Sequence, residues 1–173
     1  MVNLSEHIRQ EEESIAQQER ATGEVNQEAQ KGINRLKSAV QFGVQKTGVN
    51  ISDARVKDHE GNIAGQYKVG TESVASGISI DGDLVESVQY GGEKVEVLKE
   101  VIVHEIGHLL DDRRQESQII NFGHVSEHDG IEGINQLWTE RKMGESSETY
   151  NQETQMVTNF VTATGKSLSL IHI

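Results

Sequence analysis

Apolar residues recur at helical spacing through residues 93–112, where Val97, Leu98, Val101, Ile102, Ile106, Leu109 and Leu110 make a broad face that no proline interrupts. A face this wide predicts a buried helix. Upstream, Ile33, Leu36, Val40 and Val44 fall on one side of another helix, and Gly48 supplies its stop. Between these helices the period shortens to two. Residues 49–56 alternate, Glu60, Gly61 and Asn62 mark a turn, residues 63–69 read as a second strand, and residues 76–80 read as a third. Downstream, Ile131, Ile134, Leu137 and Trp138 lie on or beside one face of a helix over residues 129–142, closed by Gly144. Residues 146–165 predict a further helix that buries Tyr150, Val157, Phe160 and Val161 and stops at Gly165. This order of elements predicts an α+β fold: a small, mostly antiparallel sheet packed on the long helix, then a helical C-terminal part.

Residues 1–30 have a different texture. They are dense in Glu and Gln, with Leu4, Ile8, Ile15 and Ala21 as the main apolar positions. The segment therefore reads as a polar helical or partly disordered arm, available to bind a partner protein. It lacks the sustained apolar heptad of a coiled coil. The domain proper is expected over residues 31–166, incomplete at its C-terminus. Residues 167–173 are expected to be a non-native tail, because Leu168-Ser169-Leu170-Ile171-His172-Ile173 resembles the translation of a sequencing adapter, and such segments are set aside from fold reasoning.

Composition narrows the functional classes. A formal net charge of −12 over 173 residues argues against nucleic acid or an anionic membrane surface as the main partner. No apolar run approaches the roughly 18 residues of a membrane-spanning helix, and the first residues lack the basic and apolar regions of a secretory signal, so the expected location is cytoplasmic by default. The chain has no cysteine, so any metal must be held by histidines and carboxylates.

The buried helix carries such groups. His104 and His108 stand four residues apart with Glu105 directly after the first, an H-E-x-x-H motif. On a helix, side chains at i and i+4 are neighbours, so both imidazoles can ligate one ion. Glu105 is rotated one step from the ligand face, which is where a general base acting on water belongs. Zinc suits neutral imidazole and, in catalytic sites, takes three protein ligands. The bland alternative is two histidines held by hydrogen bonds on a core helix.

Helix, small sheet and then a helix with His104-Glu105-Ile106-Gly107-His108 resembles the zincin metallopeptidases. The histidine-type branch is not matched, since Arg114 and Ser117 stand where it has glycine and histidine. The gluzincin branch takes its third ligand from a later glutamate, often in an Asn-Glu-Gly run followed by an apolar residue. Ile131-Glu132-Gly133-Ile134 matches that run except at Ile131, and implies Glu132 as the ligand. An alternative register would put Gln136 there, and a neutral amide is a poor zinc ligand. Glu132 can also be read as a helix-start carboxylate paired with Asp129 as N-cap. Glu140, His124 and His128 remain alternative ligands, with His128 also a candidate for the rim of the site. The resemblance further implies an oxyanion-stabilising side chain on a C-terminal helix, for which Tyr150 is the candidate, beside the plainer reading of Tyr150 as core. The expected function is a zinc-dependent metallopeptidase acting on a peptide or protein substrate. The alternatives are a catalytically silent zinc-binding interaction protein and a zinc hydrolase of a non-peptide amide.

Overall fold

The computed structural model describes residues 2–61, 63–68, 77–114, 127–144 and 151–164. The chain divides into two compact units, Met1–Leu109 and Leu110–Ile173.

The first unit begins with a short strand, β1 (Val2–Asn3), that runs directly into helix α1 (Leu4–Thr22). Asn3 accepts the Glu6 amide at 2.7 Å and so satisfies one of the unpaired donors at the helix start. Leu4, Ile8 and Ile15 are buried, while every Glu and Gln position is half-buried or exposed. Three apolar side chains on one face are enough to seat this acidic helix, and β1 pairs antiparallel with residues Arg55 and Val56. Helix α2 (Gln27–Thr47) is capped by Asn26 and ends at Gly48, the predicted stop. Its buried stripe runs through Ile33, Leu36, Ala39 and Gly43, while Val40 and Val44 are half-buried. Small residues occupy the closest approach: a methyl group at Gly43 would collide with Ile102. Helical periodicity alone favours the larger valines, so it placed the contact one step round the helix from where it lies.

The strands are shorter than the alternating pattern predicts. They are β2 (Arg55–Lys57), β3 (Gly65–Tyr67) and β4 (Ile78–Asp81). Residues 49–54, expected as strand, instead turn. Asn50 Oδ1 accepts the Ser52 amide at 2.9 Å and Ala54 N–H donates to Ile51 O at 2.9 Å, with Ile51 and Ala54 still buried. The alternation in that stretch came from burial in an irregular segment. The sheet order is β1-β2-β4-β3. β1/β2 and β3/β4 pair antiparallel and β2/β4 pair parallel, so the sheet is mixed.

After β4, Asp81 caps the short helix α3 (Gly82–Glu86) through the Leu84 amide, and a single π-helical turn follows at Ser87–Gly91. That turn presents Gln89, whose amide oxygen accepts from His7 Nε2 at 3.0 Å and whose amide nitrogen donates to Glu11 at 2.8 Å. The polar side of α1 is thereby tied into the unit. Helix α4 (Val95–Arg114) comes next and carries the motif. Leu98, Ile102, Val103, Ile106 and Leu109 are buried along it.

The second unit contains α5 (Glu127–Met143) and α6 (Asn151–Thr164). They pack closely at Gly133, where an added Cβ would stand 2.6 Å from the Glu153 carbonyl carbon and 2.9 Å from Val157 Cγ2. Val157 and Trp138 are buried, as the apolar pattern predicts. Gly144 ends α5 with its N–H on Glu140 O at 2.8 Å. The helix starts at Glu127, so Asp129 lies inside it and does not occupy the N-cap position. The architecture is α+β and predominantly helical. Among the described residues no helix is long and apolar enough to cross a membrane.

Candidate metal centre

Helix α4 is buried on every side over residues 102–107, which are all inaccessible to solvent or nearly so. Helix geometry then fixes the relation of the histidines. His104 is 6% exposed and His108 is half-buried, one turn further on. Their Nε2 atoms lie 3.1 Å apart, and the rings meet edge to face with centroids 4.8 Å apart. The two imidazoles therefore aim the same nitrogen at one point.

Glu105 is 5% exposed. A carboxylate taken this far from water is costly unless its surroundings compensate it. One wall of those surroundings is the backbone of β3. A Cβ built at Gly65 would lie 2.9 Å from Glu105 Oε1, 3.0 Å from its Cγ and 2.5 Å from Val101 Cγ1. Only a glycine lets the strand come this close. Among the described residues β3 is the last strand in the sheet order.

His104, His108 and Glu132 form a group that could hold a metal ion: one ligand atom from each, all within 4.8 Å of one another. It is the one such group of three or more His, Asp or Glu among the described residues. Glu132 is half-buried on α5, and Glu140, two turns further along the same helix, is not part of the group. Tyr150, His124 and the side chain of His128 lie outside the described residues.

Two features escape periodicity. Gly65 has no chemistry of its own, yet it determines how near the sheet comes to Glu105. An isolated glycine inside a strand pattern is the available signal, since it marks close approach of another group. The other is a set of polar residues inside α5: Asn135, Gln136 and Thr139 are all buried, with Thr139 Oγ1 donating to Asn135 O at 2.9 Å. No apolar pattern announces buried polar positions.

The chain matches no family model, no curated protein and no solved structure in the comparisons made.

Proposed function

We propose that this chain is a zinc-dependent metallopeptidase of the glutamate-ligand type. His104, His108 and Glu132 hold the ion, and Glu105 is the general base. The observation that carries this reading is the convergence of those three ligand atoms next to a buried glutamate in the H-E-x-x-H helix. Two nitrogens each about 2.05 Å from a tetrahedral ion lie about 3.3 Å apart. The 3.1 Å between the two Nε2 atoms is close to that. A donor set of two imidazoles and one carboxylate, with no cysteine in the chain, suits zinc.

When bound, the ion supplies Lewis acidity that makes water nucleophilic near neutral pH. The remaining work belongs to the chain. Glu105, one helical step from the ligand face, accepts the proton of the attacking water and passes it to the leaving amine. Its burial strengthens the electrostatic part of that transfer. β3 stands last in the sheet order among the described residues, and an extended peptide that added a strand beside it would run past Glu105.

The test is Glu105→Gln, which keeps the shape of the side chain and removes the base. The variant is expected to bind one zinc per chain and to cleave a peptide library at least about a hundredfold more slowly than the parent. Cleavage at the parental rate overturns the assignment of Glu105. A parent that binds zinc and cleaves nothing in the library points instead to the silent interaction protein or to a zinc hydrolase of a non-peptide amide.

A further inference from the structure

Strand β3 is only three residues long, and none of residues 63–68 is fully buried. Ile63, at the end of the preceding loop, is 46% exposed. Apolar burial therefore does little to hold β3 where it meets Glu105. Hydrogen bonds must do more of it, and a notable group of them converges on one side chain.

That side chain is His59, in the loop from β2 to β3. Its backbone N–H donates to Asp81 Oδ1 at 3.0 Å, at the end of β4. Its Nδ1 lies 3.1 Å from Ile63 O, and because a carbonyl only accepts, Nδ1 is the donor. On the other side of the ring, Nε2 lies 3.0 Å from the hydroxyl of Ser79 on β4, which is 5% exposed. Ser79 Oγ also lies 3.2 Å from Gln66 O on β3, so its one hydroxyl hydrogen serves that carbonyl or, with Nδ1 holding the ring hydrogen, Nε2. One imidazole thus closes the loop on itself and ties Ile63, which leads into β3, to Ser79 on β4. Gln66 directly follows Gly65, whose backbone stands against Glu105 and Val101.

We propose that His59 is a positioning residue for Glu105. It latches β3 to β4 and so fixes the distance of the Gly65 backbone from the buried carboxylate. This rests on the reading of Glu105 as general base. His59 itself touches neither the ligand group nor the substrate; it acts through β3.

The experiment uses the full chain loaded with zinc. In His59→Ala, the Lys68 amide, which donates to Gly77 O, and the Asp81 amide, which donates to Ala64 O, should exchange their hydrogens about tenfold faster. On the peptide library kcat should fall about tenfold with zinc per chain unchanged. Ser79→Ala should speed the same two amides by removing the other half of the latch. His59→Gln places an amide at about the depth of Nε2 and should recover most of the lost kcat, a rescue that loss of overall stability would not produce. Unchanged exchange in both alanine variants overturns the latch. Faster exchange with kcat unmoved overturns its link to Glu105. Faster exchange in a chain whose parent cleaves no peptide leaves the latch standing and overturns the metallopeptidase reading.

Discussion

Gly65 and Glu105 meet with no space for a side chain between them: a Cβ at position 65 would stand 2.9 Å from Glu105 Oε1 and 2.5 Å from Val101 Cγ1. Val101 is β-branched and stiff at χ1, so it cannot swing aside cheaply. Gly65→Ala must therefore move the strand or the helix side chains. Overpacking of this kind costs about 1–3 kcal/mol. The expected outcome is a lower urea midpoint and slower peptide cleavage, with zinc stoichiometry unchanged because neither histidine is touched. A midpoint and a cleavage rate both equal to the parent's would show that the strand does not press on Glu105.

The ligand group can be tested apart from catalysis. Glu132→Gln keeps the volume and removes the charge, and neutral amides are poor zinc ligands. Changes one shell further out commonly cost 10–100-fold in metal affinity, so loss of a ligand should cost about a hundredfold or more. Competition with a chromophoric chelator measures this directly. Glu140→Gln is the matched control on the same helix and should bind zinc as the parent does. Equal affinity for the Glu132 and Glu140 variants would remove Glu132 from the ligand set.

Much of this was legible in the sequence. The motif helix announces itself because a buried helix must be apolar over a wide arc, and the spacing of His104 and His108 then places them together by helix geometry alone. Glu132 was reachable only through the resemblance of its surrounding residues to a known ligand helix, since its own periodicity says nothing about metal. The acidic first helix was harder to read. Leu4, Ile8 and Ile15 are few, but a helix that packs against neighbours needs only one occupied face. The strands are shorter than the sequence alternation predicts: Val49, Ile51 and Ala54 are buried, but a side-chain turn at Asn50 competes with the ladder there. The role of Gly65 depends on what another element brings to it, and no local pattern carries that.

The packing of α5 on α6 in the second unit can be tested on the metal-free chain. Gly133 faces the backbone of Glu153, with an added Cβ 2.6 Å from the carbonyl carbon. A peptide backbone cannot move out of the way as a flexible side chain can. Gly133→Ala gains helix propensity of about 1 kcal/mol for α5, yet overpacking of about 1–3 kcal/mol opposes it. The net expectation is loss of stability, read as a lower midpoint in thermal or urea unfolding. A rise in the midpoint would mean that propensity wins and that α5 and α6 are not in close contact at this position.

At the other end of the chain, Glu6 connects acid stability to the seating of α1. Its carboxylate accepts from Arg9 Nη2 at 2.6 Å, from Arg9 Nε at 2.8 Å and from Gln10 Nε2 at 2.8 Å. The Arg9 hydrogen bonds foremost, with that of Gln10, lower its pKa from 4.5 to about 2. A carboxylate whose pKa is depressed on folding contributes stability that is fully present above its unfolded value and is lost as pH falls through the folded one. The contribution of Glu6 should therefore be complete above about pH 4.5 and vanish toward pH 2. Because the pair lies at the surface, salt should weaken it as well. Comparing urea midpoints of the parent and Glu6→Gln across that window isolates the effect. The parent should be the more stable near neutral pH, with the difference shrinking on acidification and in high salt. A difference that stays constant from neutral pH to pH 2 would assign the role of Glu6 to packing and not to its charge.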